Sequence, residues 1–323
     1  MKNSSILLFA ILFIVSACSS GDDEKLQFEN RQQPVPAFNV DSAYSYVVNQ
    51  VEIGPRNPGS EEHRKAKDYL IKQLKKYAGD KYVFTQNFTH GGYQGDTLAM
   101  SNIIAAFNPQ SSDRIMLCAH WDTRPRAEND ADNPETPILG ADDGASGVAV
   151  LLELARLFSK EQPPVGVDII LFDGEDYGKE GDFGSYFLGS RFWSNYPPVK
   201  NYNPRFGILL DMVGGENARF RKELNSQEFA PALVNEIWGI AQQKGYNSLF
   251  LDEEGARVSD DHLVINRIRK IPTINIIRHS VGDEGKAEFA PYWHTHNDNL
   301  EIIDKKTLNA VGEVLTELVY NRI

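Results

Sequence analysis

The sequence predicts an α/β fold: a doubly wound, mixed and mostly parallel central sheet flanked by helices. Three observations predict it. Short runs rich in Ile, Leu, Val and Phe, such as 167–172, 206–210 and 273–277, have the composition of strands covered on both faces. Segments of helical periodicity separate them. Asp, Glu or His follows the apolar runs again and again, where ligands bind in open α/β sheets.

The elements can be placed in order. Asp41 is the expected N-cap of a helix carrying Tyr44, Val47, Val48 and Val51. The stretch Gly54-Pro55-Arg56-Asn57-Pro58-Gly59 ends it. Ser60 then opens a second helix with Tyr69, Leu70 and Leu74 on one face. Strands follow at 82–88, 100–107 and 114–119. A helix over 147–158 turns Val148, Leu151, Leu152, Ala155 and Leu157 inward. Beyond the later strands, helices at 232–243 and 306–320 complete a single domain spanning residues 39–323.

Composition narrows the function. With 323 residues, 41% of them hydrophobic, the chain can bury a large core. Its formal charge of −12 excludes a nucleic-acid partner, which needs a basic face. Residues 1–18 read as a signal peptide: Lys2, an apolar run from Ile6 to Val15, then Ser16-Ala17-Cys18. The run is too short to span a bilayer. Small residues before a cysteine resemble the lipobox of bacterial lipoproteins, with Cys18 the lipidated residue; the alternative is a plain signal peptide with an incidental cysteine. Residues 19–38 read as a flexible tether, and the acidic Asp22-Asp23-Glu24 as either a sorting signal or part of it. The expected location is the bacterial cell envelope, lipid-anchored, periplasmic or surface-facing. Cys118, inside an apolar strand, is a small hydrophobe rather than a nucleophile.

Six clusters carry the chemistry: His120-Trp121-Asp122, Asp142-Asp143, Asp173-Gly174-Glu175-Asp176, Asp211, Asp260-Asp261-His262 and Trp293-His294-Thr295-His296-Asn297-Asp298. One such cluster is ordinarily a solvated loop. Six at strand and helix ends suit zinc, which takes imidazole and carboxylate ligands and keeps a position open at catalytic sites. His296 and His262 read as a loop residue and a structural hydrogen-bonder, and Gly178, Gly181 and Gly184 as a mobile loop beside the site.

The order and spacing of these motifs resemble the zinc aminopeptidase-like family that includes the animal-type glutaminyl cyclases, from about residue 41 to the C-terminus. The resemblance implies Asp143, Asp176 and His294 as zinc ligands and Glu175 as proton shuttle. In the aminopeptidases His120 and Asp211 would hold a second metal that shares Asp143, with Asp122 orienting His120. In the cyclases one zinc remains, and Asp211 and Asp260 form a hydrogen-bonded acidic network with Glu175. Position 176 departs from the animal cyclases, which carry Glu there. Asp260, where aminopeptidases typically have Ser, and Trp293 favour a cyclase acting on N-terminal glutaminyl peptides, with zinc polarising the γ-amide carbonyl. Phe289 and Trp293 are the expected pocket walls, and Trp193 reads equally as the pocket mouth or as core packing. The resemblance further implies a cis Asp143–Gly144 peptide and, on the cyclase reading, one Zn2+ per chain; a monomer is the expected state. The alternatives are a two-zinc aminopeptidase and a non-catalytic peptide-binding lipoprotein.

Overall fold

The computed structural model describes residues 26–323, so the signal peptide and Cys18 lie outside the described residues. Helix α1 (Val40–Ile53) is capped by Asn39, whose side chain accepts from the Ser42 amide. Asp41, the expected cap, sits in the first turn instead, where its charge favours the helix dipole. Ser60 caps α2 (Glu61–Ala78) as its position predicted, and Gly79 follows its last turn.

Strands β1 (Val83–Gly91), β2 (Thr97–Phe107), β3 (Arg114–His120), β4 (Gly166–Phe172), β5 (Gly207–Asp211) and β8 (Thr273–Ile277) form one six-stranded sheet in the order β1-β2-β4-β3-β5-β8. The last four run parallel, while β2 is antiparallel to both β1 and β4. A separate parallel pair, β6 (Phe220–Lys222) and β7 (Phe250–Glu254), lies outside it. Helices α3 (Ala145–Lys160), α4 (Leu188–Asn195), α5 (Leu224–Phe229), α6 (Pro231–Gln243), α7 (Asp261–Arg269) and α8 (Lys305–Glu317) complete the fold, and a π-helical turn over Leu318–Arg322 follows α8. The mixed, mostly parallel sheet expected from the sequence is therefore present. No helix among the described residues is long and apolar enough to cross a membrane.

The main core lies on one face of the sheet, where α1, α2, α3, α6 and α8 press Val47, Leu70, Leu151, Ile237 and Val311 against inward residues of the strands. Burying each such side chain contributes about 1.5–3 kcal/mol. Sequence reasoning missed α7, whose polar N-terminus hid a nine-residue helix.

Of the tether expected over residues 19–38, the described part does not stand free. Residues 26–38 lie against the domain: the Glu29 amide donates to Arg322 O (2.8 Å) and the Arg31 amide to Asn321 O (3.0 Å). Phe28 and Val35 pack on the core, and Phe38 is buried in it. Gly312 makes room for Phe38, since a Cβ there would lie 2.4 Å from its ring. Aromatic residues outweighed the polar composition that read as flexible.

Candidate active site

The carboxyl ends of the parallel strands converge as the motif positions predicted. His120 ends β3, Asp211 ends β5, Glu175 and Asp176 follow β4, and Asp143 lies just ahead of α3. Asp260 caps α7 by accepting from the Asp261 amide, and His294 comes from the loop after β8.

Two overlapping triads result, Asp143–Asp176–His294 and His120–Asp143–Asp211, all five residues buried. Asp143 faces both ways, with Oδ1 3.1 Å from His120 Nε2 and Oδ2 3.8 Å from His294 Nε2. His294 Nε2 also lies 3.4 Å from Asp176 Oδ1, and His120 Nε2 lies 3.3 Å from Asp211 Oδ1. Asp176 Oδ2 is buried and has no hydrogen-bond partner. A buried carboxylate with one oxygen unpartnered, close to an imidazole and a second carboxylate, fits a divalent cation, and the donor set suits zinc.

The backbone is bent to bring these groups in. His294 and Met212, the residue after Asp211, both adopt left-handed φ (56° and 47°), a strained conformation that clusters at functional sites. Gly144 turns at φ 96°, and a Cβ there would come within 2.8 Å of Asp122 O. The expected cis peptide is not found; all described peptides are trans, and the turn at Gly144 delivers Asp143 instead. Asp298, the last acid of the Trp293–Asp298 cluster, accepts from the Asp142 and Asp143 amides at 2.7 and 3.1 Å, a role the sequence did not assign. Arg56, missed by sequence reasoning, is fully buried and donates to Trp121 O, Leu139 O and Gly140 O. Its only sequence signal was its place in the Gly/Pro turn.

Asp122 does different work from that expected. Its oxygens accept from the Glu175 and Asp176 amides (3.1 and 3.2 Å), fixing the β4 loop, and stand 3.7 Å from His120 Nδ1. Asp173 is held in the same way, by His63 (2.8 Å) and the Ser101 amide. His262 bonds Glu223 and His296 bonds Asp130, so both are structural.

Burial dominates the electrostatics. It pushes Glu175 well above the usual carboxyl range; His120 opposes this, while Asp176 and Asp260 reinforce it. Burial and then the charge of Asp211 push Asp260 up to about 7. Asp211 is raised chiefly by burial, against its contacts with His120. Burial opposes charge on His120, yet Asp122, Asp143 and Asp211 outweigh it and hold the imidazole well above its ordinary value. Asp176 goes the other way: burial would raise it, but the charges of Arg124 and His294 keep it ionised. The oxygens of Asp260 are taken by the Asp261 amide and Asn275 (2.5 and 2.6 Å), so its influence on Glu175 acts through charge.

Above the triads opens a cavity of about 450 Å³, lined by Glu175, Asp211, Asp260, Tyr186, Phe289 and Trp293 among others. Phe289 and Trp293 contact each other at 4.7 Å, and Trp293 stacks on His294. Trp193 is not part of this wall. It is 1% exposed and packs edge-on against Phe172 and Tyr202 in a separate core cluster. The helical face of α4 turns it inward.

A mixed α/β scaffold with buried, carboxylate-rich candidate metal triads at the strand ends defines the class. The model of peptidase family M28 matches residues 102–319, and the chain belongs to that family. It is similar to the glutaminyl cyclase of Bacteroides thetaiotaomicron, solved with N-acetylhistamine, at 49% identity over 89% of this chain and 99% of that one, with a TM-score of 0.83. A leucine aminopeptidase precursor from Bacteroides thetaiotaomicron is 48% identical over 89% and 99%, with a TM-score of 0.82. Glutaminyl-peptide cyclotransferase of Bos taurus is 25% identical over 97% of this chain and 94% of its own length.

Proposed function

We propose that this chain is a glutaminyl cyclase that converts the N-terminal glutamine of peptides and proteins to pyroglutamate and releases ammonia. One observation carries the reading: Glu175 and Asp260, both raised by burial and by neighbouring charge, line the same cavity as the Asp143–Asp176–His294 triad. The substrate's α-amine attacks its own γ-amide carbon; the new C–N bond closes the ring, and the bond to the amide nitrogen breaks. Glu175 accepts the proton that the amine sheds and delivers it to the departing nitrogen, so it ends the cycle as it began. A raised pKa suits a group that must both take and give a proton near neutrality. Phe289 and Trp293 hold the glutamine side chain against the acids in near-attack geometry. One zinc, held by Asp143, Asp176 and His294, would supply Lewis-acid polarisation of the amide carbonyl.

A two-zinc aminopeptidase is the second reading, favoured by one observation: the His120–Asp143–Asp211 triad is complete. Assay of the purified protein on glutaminyl peptides and on leucyl amides, with zinc counted per chain, separates the two. Ammonia release with one zinc and no amide cleavage supports the cyclase, whereas free amino acid with two metals overturns it.

The protein acts in this reading as a monomer on exported glutaminyl peptides, anchored to the bacterial envelope through lipid on Cys18, with no nucleic-acid partner. Labelled fatty acid should enter the wild-type chain and not Cys18→Ser; label retained in the variant would reject the anchor.

A further inference from the structure

Arg124 has no part in the reaction just described, yet it is the most heavily committed cation near the site. Its side chain is 2% exposed, and all five of its N–H groups are used. Nη1 donates to Asp176 O at 3.0 Å and to Asp176 Oδ1 at 2.7 Å. Nε donates to Glu128 Oε2 at 2.7 Å, while Nη2 serves Glu128 Oε1 and the Tyr186 hydroxyl. Glu128 in turn brings Oε2 to 4.0 Å from His294 Nδ1. One guanidinium therefore grips a candidate metal ligand, stands behind a second through Glu128, and reaches the cavity wall at Tyr186.

We propose that Arg124 is a positioning residue for the metal, clamping Asp176 by one oxygen so that the other stays free for the ion. The unpartnered, buried Oδ2 of Asp176 is the observation that points to it, because Oδ1 is already engaged. An unclamped carboxylate could rotate about its side-chain bonds or turn both oxygens toward a cation. Arg124 removes that freedom with two hydrogen bonds to a single residue, one to its backbone and one to its side chain. A bare cation so near would repel a metal ion. Glu128 offsets this, since its carboxylate faces the same guanidinium, so the brace orients Asp176 while adding little net charge. Lysine could keep the charge but not the five-donor fork.

The inference rests on the assignment of zinc to Asp143, Asp176 and His294. Its test is zinc affinity, measured on the metal-free full chain by competition with a chromophoric chelator, with thermal melts of the metal-free proteins alongside. Arg124→Gln should bind zinc about 10- to 100-fold more weakly, the usual cost of losing a group that orients a ligand. Arg124→Lys should recover part of that loss. Glu128→Gln, which leaves the guanidinium unbalanced, should weaken zinc as well, and it decides the matter if Arg124→Gln does not fold. Wild-type protein that binds no zinc would overturn the metal assignment itself. Tight zinc in wild type and equal or tighter zinc in both Arg124→Gln and Glu128→Gln would overturn the brace alone.

Discussion

Among the described residues, two Arg–Asp pairs with a buried carboxylate are built to opposite ends. Arg114 holds Asp168 with Nε on one oxygen (2.8 Å) and Nη2 on the other (2.5 Å), and the Tyr202 hydroxyl adds a third bond at 2.9 Å. Both carboxylate oxygens are satisfied. Arg124 holds Asp176 by one oxygen, and the other is left without a partner. The first pair closes a strand pairing, β3 against β4; the second sits where a ligand is expected. Hydrogen-bond accounting on a buried carboxylate thus separates a structural ion pair from a functional one.

The comparison can be broken or sharpened by mutation. The largest effect belongs to the open site. Glu175→Gln should lower kcat by about 10²- to 10⁴-fold while zinc content stays that of wild type, because in the proposed mechanism it removes the proton carrier and spares the candidate ligands. Full activity in that variant would remove Glu175 from the chemistry. Next comes the closed pair: Asp168→Asn leaves Arg114 without its counter-charge and should cost about 3–5 kcal/mol in denaturant melts, with KM unchanged. A smaller effect is expected at Trp193, where Trp193→Phe should cost about 0.5–3 kcal/mol of stability, again without a change in KM. A raised KM there would return Trp193 to the pocket wall.

The last test reads a pH profile. The folded-state pKa of Asp260 is raised from 3.8 to about 7, mainly by burial, so its proton is held more tightly when the chain is folded. Its contribution to stability is complete below the ordinary value and is lost as pH rises through the raised one. Metal-free Asp260→Asn should therefore lose less stability than wild type between pH 4 and 8. Parallel melting curves across that range would show that Asp260 is not held protonated.

Much of this was legible in the sequence because it is repetitive. The strands declared themselves by runs of branched apolar residues, and the candidate ligands by clusters of acids and histidines at strand and helix ends. Single-residue signals carried less. Asp41 and Asn39 are both good caps, and only the backbone decides between them. Trp193 reads as a pocket wall or as core with equal ease until the rotation of α4 is known. Arg56 and Arg124 were silent because a lone charge in a loop has no period, and its meaning lies in partners distant along the chain. Asp168 is the reverse case: a charge within an apolar run that did not disturb the strand, because Arg114 on the neighbouring strand was there to meet it.

The pairing of residues 29 and 31 with the last turn of the chain sets a mechanical limit. From Cys18 to Leu26 there are eight residues, which even fully stretched reach about 28 Å. A domain of this size has a radius of gyration of about 19 Å, so that leash is shorter than the body is wide. On a lipid anchor the enzyme could not roll over freely. The side where Leu26 emerges would stay turned to the bilayer, and the molecule would patrol a layer scarcely thicker than itself.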